Sequence, residues 1–134
     1  MISKIKTIKL KKINEKNGSL VAIEFKNNKI LIPRRIFQVY SGANKIRGKH
    51  AHKKSSQLLI CNYGEIEVLS PDGKNKVSNT LKKTNIGLLI PPMIWSELIY
   101  KKKKSILTVV TDSYFSEKDY IRNFKEFILK SKAK

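Results

Sequence analysis

Arg47-Gly48-Lys49-His50-Ala51-His52-Lys53 contains both histidines of this 134-residue chain. Side chains two residues apart on a β-strand point to the same face, with origins about 6.6 Å apart at a rise of about 3.3 Å per residue. His50 and His52 can therefore converge on one ligand. Because the ordinary pKa of histidine lies nearest neutrality, such a pair can bind a metal, move protons or fill a polar barrel interior.

Short strand-like segments surround this stretch and predict an all-β fold. Turn residues such as Asn17-Gly18, Asn27-Asn28 and Ser70-Pro71-Asp72-Gly73 separate them. About ten strands at this spacing are typical of a β-barrel or sandwich. The predicted strands are 19–25, 29–32, 36–40, the histidine stretch, 57–61, 65–69, 87–90, 95–100 and 105–111, with one weak strand within 74–85.

Only the C-terminal end has a helical pattern. Ser116-Glu117-Lys118-Asp119 has the form of a helix capping box. The residues that recur after it at helical spacing are Tyr120, Phe124, Phe127 and Ile128. We expect a C-terminal α-helix that packs this face on the barrel as part of the core. The length fits one domain, residues 1–134.

The chain is strongly basic, with a formal net charge of +19. A charge of this size favours a polyanion such as nucleic acid. However, 25 of the 29 basic residues are Lys, and specific recognition of bases and phosphates relies on the planar guanidinium of Arg. We interpret the lysines as a solvated surface and predict no nucleic-acid partner, although this surface would attract a phosphate-bearing substrate.

The single cysteine and the hydropathy pattern bear on the cellular setting. Cys61 has no second cysteine for an internal disulfide, which predicts a reduced cytoplasmic location. The N-terminus, 1–6, alternates apolar and polar residues and lacks a signal-peptide core. No run reaches the 18 or more apolar residues of a membrane span, so we expect no membrane partner.

The spacing of the histidines extends into a longer motif. Four residues separate His52 from Gln57, and six separate Gln57 from Gly64. This spacing resembles His-x-His-x4-Glu-x6-Gly, the first cupin motif, with Gln in place of Glu. In an all-β chain it predicts a cupin β-barrel, an RmlC-like jelly roll, with the helix at its C-terminal end.

The same motif argues against a metal site. An amide is a poorer ligand for a divalent cation than a carboxylate. A cupin metal site also takes a third histidine from a second motif, and segment 87–96 at that place contains none. We predict no metal, which leaves His50 and His52 for proton chemistry or for a structural role in the barrel interior.

The residues around the two histidines resemble the signature of a known family. The histidine stretch followed by Gln57 is similar to the Arg-Gly-x-His-Ala-His-Lys…Gln signature of the sugar 3,4-ketoisomerase cupins, which act on dTDP-4-dehydro-6-deoxyglucose. The resemblance covers nearly the whole chain. The other matching blocks are 18–24, like the family's first strand, 87–95, like its Pro-Pro-x-x-Trp segment, and 113–122, like its Ser-x-Tyr…Asp-Tyr-Ile-Arg ending.

The resemblance implies a cytoplasmic homodimer that moves a ketone from C4 to C3 of a dTDP-linked 6-deoxyhexose without metal or organic cofactor. The product would feed a 3-amino-3,6-dideoxy sugar of a surface polysaccharide, such as a lipopolysaccharide O-antigen, or of an S-layer glycoprotein. A proton on carbon next to a ketone becomes removable when a base is positioned for it and donors hold the oxygen. The resulting enediol(ate) is reprotonated on the neighbouring carbon.

The resemblance also assigns roles to individual residues. His50 would be the base that shuttles the proton between C3 and C4, and His52 would assist on the hydroxyl and ketone oxygens. Arg47 would bind the diphosphate, because a guanidinium can engage phosphate oxygens in pairs. The further candidates for substrate contact are Arg35, Gln57, Trp95 and Phe37.

Three residues depart from the family pattern. Phe37 and Gln38 stand at the two tyrosine positions of the family's Arg-x-Tyr-Tyr motif. Ser96 follows Trp95 where relatives often carry histidine. Phe37 cannot reproduce a contact made by a tyrosine hydroxyl. Whether C4 is reprotonated to the galacto or the gluco configuration is therefore left open.

Two alternative functions also stay open. One is a related cupin that epimerises a nucleotide-linked keto sugar at C3 and C5, although its coupling of the base histidine to an aspartate and a tyrosine is not visible in this sequence. The other is a non-catalytic basic barrel that binds a polyanion, which would favour Arg enrichment and an external groove.

Overall fold

Twelve β-strands and one α-helix make up the described part of the chain, residues 1–133 of a computed structural model. Their bounds are β1 (Lys6–Lys9), β2 (Lys11–Glu15), β3 (Gly18–Ala22), β4 (Arg35–Tyr40), β5 (Lys45–His52), β6 (Gln57–Tyr63), β7 (Ile66–Pro71), β8 (Lys76–Leu81), β9 (Ile86–Ile90), β10 (Ser96–Tyr100), β11 (Ile106–Thr111), β12 (Tyr120–Ile121) and α1 (Phe124–Lys132).

The strands form two five-stranded sheets and one hairpin. The first sheet has the order β1-β9-β6-β11-β4 and the second has the order β12-β5-β10-β7-β8, while β2 pairs with β3. All pairs are antiparallel. Consecutive strands often lie in different sheets, as β5 and β6 do, which is typical of a jelly roll. The prediction of an all-β jelly roll with a C-terminal helix is confirmed.

Buried side chains from both sheets meet in the main core. The first sheet contributes Leu59, Leu88 and Leu107, and the second contributes Val68 and Tyr100. A second cluster lies on the other face of the first sheet, where Leu10 and Leu31 cover Leu58, Ile60 and Val110. Strand β6 is therefore buried on both faces, which explains its continuous apolar run.

The predicted helix start at Ser116 is wrong. Ser116 makes no side-chain capping hydrogen bond, and a short 3-10 turn, Glu117–Asp119, follows it. The helix begins at Phe124, where the Asn123 side chain accepts a 3.0 Å hydrogen bond from the Glu126 N–H. Between the 3-10 turn and the helix the chain forms β12, which pairs with β5. This pairing satisfies backbone N–H and C=O groups that a helix would satisfy internally.

The strand predicted over 29–32 is also wrong. This segment is irregular and follows Asn27 and Asn28, which both have left-handed φ values, 55° and 54°. It packs Leu31 on the outer face of the first sheet instead of adding a strand to it. Strands β1, β2 and β12 were not predicted. No helix in residues 1–133 is long and apolar enough to span a membrane.

Candidate active site

A β-bulge interrupts the histidine strand β5. Gly48 and His50 pair with consecutive residues of β10, which leaves Lys49 as the extra residue. Gly48 and Lys49 both have left-handed φ values, 79° and 57°. One extra residue reverses the alternation of side chains, so Arg47 lies on the same face as His50 instead of the opposite one. Arg47 and His50 accordingly line one cavity.

The two histidine rings are in contact, as their spacing predicts. Their centroids are 5.0 Å apart in a T-shaped arrangement. The ring of Tyr120 lies 4.9 Å from that of His50 and 4.4 Å from that of His52. The three rings form one cluster at the edge where β12 pairs with β5, and Tyr120 pairs directly with His52 in the register.

A cavity of about 190 Å³ opens beside this cluster, between the two sheets. Its apolar wall comes mainly from the first sheet: Phe37, Val39, Leu59, Leu107 and Val109. Its polar side consists of Arg47, His50, Gln57, Ser96, Tyr120 and Arg122. An apolar pocket with a few convergent polar groups is the usual form of a small-molecule site.

A smaller cavity lies behind the histidines. His50, His52, Gln57 and Ser96 line it together with Ser55 and apolar residues of the 90–94 segment. Within residues 1–133, His50 Nδ1, His52 Nε2 and Ser96 Oγ are buried without a hydrogen-bond partner. Buried polar atoms are normally satisfied, so these three atoms are available to a bound molecule.

Burial keeps both imidazoles neutral near neutral pH. Desolvation, followed by repulsion from His52, lowers the pKa of His50 to about 4. Desolvation also lowers the pKa of His52, although its hydrogen bond to Asp119 partly opposes this. Each ring therefore presents one unprotonated nitrogen at pH 7, which a proton acceptor needs.

Asp119 contacts the cluster at the Nδ1 atom of His52. Its Oδ2 lies 3.1 Å from His52 Nδ1, and its Oδ1 accepts a 2.7 Å hydrogen bond from the Lys54 N–H. Ser55 Oγ also donates to Oδ2. Burial raises the pKa of this carboxyl, but the hydrogen bonds from Ser55, Lys54 and His52 outweigh burial and hold it below its ordinary value.

Asp119, Tyr120 and Arg122 were missed as site residues by sequence reasoning. They belong to the Asp-Tyr-Ile-Arg block of the family resemblance, which was the signal that could have found them. Arg122 donates two hydrogen bonds, 2.6 and 3.0 Å long, to the carboxylate of Glu117. Its guanidinium lies 4.3 Å from the centre of the Tyr120 ring, so Glu117 and Tyr120 together hold it at the cavity.

Gln57 and Phe37, two of the predicted substrate contacts, line the cavities, and Arg35 lies next to the larger one. Gln57 lines both cavities from the start of β6, and Phe37 lines the larger one from β4. The Arg35 guanidinium lies 4.8 Å from the centre of the Phe37 ring and 5.5 Å from that of Phe115. Arg35 is therefore next to the cavity, although it is not among the residues lining it.

Trp95 is the predicted contact that the structure does not bring to the site. Its indole packs against Phe124 and Phe127 of α1, with centroids 5.1 and 5.8 Å away, and is 3% exposed. Its Nε1–H donates to Glu97. Ser96, the first residue of β10, lines the cavity, whereas Trp95 just before it and Glu97 just after it lie on the opposite face. The expectation that Trp95 contacts the substrate is thus corrected to a core role.

The side chains around the histidines do not form a usual metal-ligand set. Within residues 1–133 there is no group of three or more His, Cys, Asp and Glu that could hold an ion. Around the two imidazoles stand the amide of Gln57 and the hydroxyl of Ser96, and the carboxylate of Asp119 is bonded to the Lys54 N–H, the Ser55 hydroxyl and His52 Nδ1.

Comparison with known proteins yields matches over nearly the whole chain. The sequence profile of the FdtA family, described as WxcM-like, C-terminal, matches residues 3–132. A TDP-4-oxo-6-deoxy-alpha-D-glucose-3,4-oxoisomerase from Aneurinibacillus thermoaerophilus is 36% identical over 129 residues, 93% of each chain.

Solved structures agree with the sequence matches. QdtA, a sugar 3,4-ketoisomerase from Thermoanaerobacterium thermosaccharolyticum solved in complex with TDP, superimposes with a TM-score of 0.93 at 30% identity, covering 99% of this chain and 98% of that one. WlaRA, a TDP-fucose-3,4-ketoisomerase from Campylobacter jejuni, superimposes with a TM-score of 0.84 at 36% identity, covering 93% of each. The chain therefore belongs to the FdtA family, WxcM-like, C-terminal.

Proposed function

We propose that this chain is a TDP-sugar 3,4-ketoisomerase that converts TDP-4-keto-6-deoxyglucose into its 3-keto isomer. The observation that carries the proposal is the pair of neutral histidines in ring contact, of which His50 lines both cavities and His52 lines the smaller one. Its relatives over nearly the whole length carry this activity in their names. The retained Arg47, His50, His52 and Gln57 provide a base and polar contacts for such a substrate.

The reaction needs no oxidant, because it only relocates hydrogens. The proton on C3 leaves to a base while the C4 carbonyl becomes an enediol(ate) oxygen. The same base then delivers a proton to C4, and the C3 hydroxyl loses its proton as the new carbonyl forms. One C–H and one O–H bond break, and one of each forms.

His50 is our candidate for the base on carbon. It lines the large cavity, and its pKa of about 4 keeps it unprotonated at neutral pH. A positioned base of this kind contributes about 10²–10⁴-fold to a proton transfer. His52, whose ring touches that of His50, is our candidate for the oxygen-bound protons.

Arg47 is our candidate for the diphosphate. The bulge turns it into the cavity, whereas Arg122 on the same polar side is already paired with Glu117. A guanidinium that is free to make two parallel hydrogen bonds suits a phosphate group. Arg35 is a second candidate, because its Nε is buried without a partner among residues 1–133.

The assembly and setting of the enzyme are part of the same proposal. The first sheet ends in strand β4, whose outer side exposes 65% of Ile36 and 61% of Tyr40. An edge strand with exposed apolar side chains supports a homodimer, which sedimentation equilibrium would test.

The free, buried Cys61 supports a reducing, cytoplasmic setting. A ketone at C3 is where a transaminase would place an amino group, which supports a product used for 3-amino-3,6-dideoxy sugars of surface glycans.

One observation favours a second candidate, the keto-sugar epimerase. The sequence shows no pattern that couples a histidine to an aspartate and a tyrosine. In the fold, however, Asp119 and Tyr120 both contact His52. An epimerase of this kind would exchange protons at C3 and C5. The isomerase would exchange them at C3 and C4, so the two activities leave different marks on one substrate.

The test is to incubate the protein with TDP-4-keto-6-deoxyglucose in deuterated water and follow the sugar by NMR. A 3-keto product with deuterium at C4 supports the isomerase, and the configuration at C4 distinguishes a galacto from a gluco product. Deuterium at C5 without a 3-keto product would support the epimerase instead. Full activity in His50→Asn would overturn the role of that residue. Polyanion binding that weakens steeply with salt, without turnover, would favour the basic binding barrel.

A further inference from the structure

The carboxylate of Asp119 accepts hydrogen bonds from two donors and lies against one ring nitrogen of His52. The Lys54 N–H and the Ser55 hydroxyl fix it in place, and His52 Nδ1 lies 3.1 Å from its Oδ2. The main chain of Asp119 is fixed as well, because its carbonyl accepts a 2.8 Å hydrogen bond from the Lys53 N–H. The pair is nearly enclosed, with side-chain exposures of 9% for His52 and 14% for Asp119.

This arrangement determines which nitrogen of His52 carries the hydrogen. An ionised carboxylate can only accept hydrogen bonds, so Nδ1 must be the protonated nitrogen. In the neutral ring the lone pair then lies on Nε2. Nε2 is buried without a partner among residues 1–133, and His52 lines the small cavity together with His50 and Ser96.

We propose that Asp119 is a positioning residue that keeps His52 in the tautomer with hydrogen on Nδ1, so that Nε2 can exchange the oxygen-bound proton of the reaction. This inference rests on the proposed ketoisomerase function. Asp119 lines neither of the two cavities at the histidines and acts through His52. It differs from the base role of His50, which has no carboxylate on its ring.

The proton balance is closed within this unit. Nε2 accepts the proton of the C3 hydroxyl as the carbonyl forms there, and it supplies a proton to the oxygen on C4. One O–H bond breaks and one forms, while His52 returns to its starting state. While both nitrogens carry hydrogen the ring is positive, and the adjacent carboxylate stabilises that charge.

Several groups from other elements also act on His52. Asp119 raises the pKa of His52 by favouring the charged ring, whereas the positive Arg35 and Arg122 lower it. The groups that face the ring are Asp119 before β12, Tyr120 on β12, Arg122 after it, Arg35 on β4 and His50 on β5.

The first measurement determines the tautomer in the resting enzyme and does not depend on activity. Long-range ¹H–¹⁵N spectra of histidine-labelled protein at pH 8 separate a protonated ring nitrogen from an unprotonated one. For wild-type His52 we expect hydrogen on Nδ1, and for Asp119→Asn a mixture or the opposite tautomer, because an amide can also donate. A wild-type His52 with hydrogen on Nε2, or the same tautomer in both proteins, overturns the proposal.

The second measurement compares kinetics with a matched control. Asp112→Asn removes another carboxylate of the same region, one that accepts a hydrogen bond from the Ser56 N–H and does not contact a histidine. We expect Asp119→Asn to lower kcat on the order of 100-fold, as loss of one general acid–base function does, with KM within about threefold. Asp112→Asn should keep kcat within about twofold at a similar loss of thermal stability.

Rescue and pH dependence separate positioning from a structural role. Asp119→Glu restores a carboxylate and should recover part of kcat, and the pH profile of Asp119→Asn should move its acidic limb to lower pH, because an amide stabilises the His52 cation less. Equal losses in Asp119→Asn and Asp112→Asn, without rescue by Glu, would overturn the proposal. Absence of ketoisomerase turnover in the wild type would overturn the proposed function and the proton exchange together, whereas the tautomer measurement still decides the role of Asp119 in holding His52.

Discussion

Gly48 and Ser96 approach each other so closely across β5 and β10 that a side chain at position 48 would crowd the Ser96 carbonyl. A Cβ atom on Gly48 would lie 3.0 Å from the Ser96 carbonyl oxygen, and its φ of +79° is left-handed. The bulge that this glycine permits places Arg47 on the face of His50. The geometry of the candidate site therefore depends on one backbone position.

Replacing Gly48 by Ala should destabilise the protein and disturb the site together. A left-handed φ costs a residue with a Cβ about 1–2 kcal/mol, and the contact with Ser96 adds to this cost. We expect the free energy of unfolding, measured with urea, to fall by at least about 1 kcal/mol. Turnover should fall with it, since Arg47 and His50 would no longer share a face.

Gly42→Ala is the matched control for that change. A Cβ at Gly42 would meet only a side-chain atom of Lys45 at 3.7 Å, an ordinary contact. We expect its stability and turnover to stay close to wild type. Equal effects at the two glycines would contradict the importance of the bulge.

Arg47→Lys should weaken TDP binding about tenfold, because an ammonium cannot form the two parallel hydrogen bonds of a guanidinium. Isothermal titration with TDP measures the effect directly and separates it from catalysis. Arg34→Lys serves as the control, since the Arg34 side chain is exposed and outside the cavity lining. An unchanged Kd in Arg47→Lys would assign the diphosphate to another residue, with Arg35 tested next.

Trp95→Phe should affect stability more than substrate binding. The indole packs against Phe124 and Phe127 and hydrogen-bonds Glu97, so the smaller ring leaves a gap and an unpaired carboxylate. We expect a loss of about 1–3 kcal/mol in the free energy of unfolding with KM within about twofold. A large rise in KM at unchanged stability would return Trp95 to the sugar site.

His50 should make the fold sensitive to mild acid. Its pKa falls from the ordinary 6.5 to about 4 on folding, so the unfolded chain binds this proton more readily than the native protein does. Stability linked to His50 is therefore present above pH 6.5 and is lost as pH falls from there towards 4. Thermal unfolding across this range should show a smaller decrease in Tm for His50→Asn than for the wild type, and parallel curves would contradict the shift.

Much of the fold could be predicted because its signals are local. The alternation of apolar residues in β4 and the double-sided run in β6 identify strands without reference to their partners. The helix start could not be predicted in this way. Asp119 satisfies the Lys53 and Lys54 N–H groups, and that demand comes from residues more than sixty positions earlier in the chain.

In the candidate site, too, the features set by local sequence were predictable and those set by tertiary pairing were not. The sequence by itself determined the all-β class and the convergence of His50 and His52, since a two-residue spacing on a strand sets a common face whatever the partner strands are. Only the tertiary structure decided that Arg47 joins them, that Trp95 does not, and that Asp119 and Tyr120 complete the cluster. Those outcomes depend on a bulge against β10 and on the pairing of β12 with β5. Such pairings bring together residues distant in the chain, and they are chosen by the packing of the whole barrel.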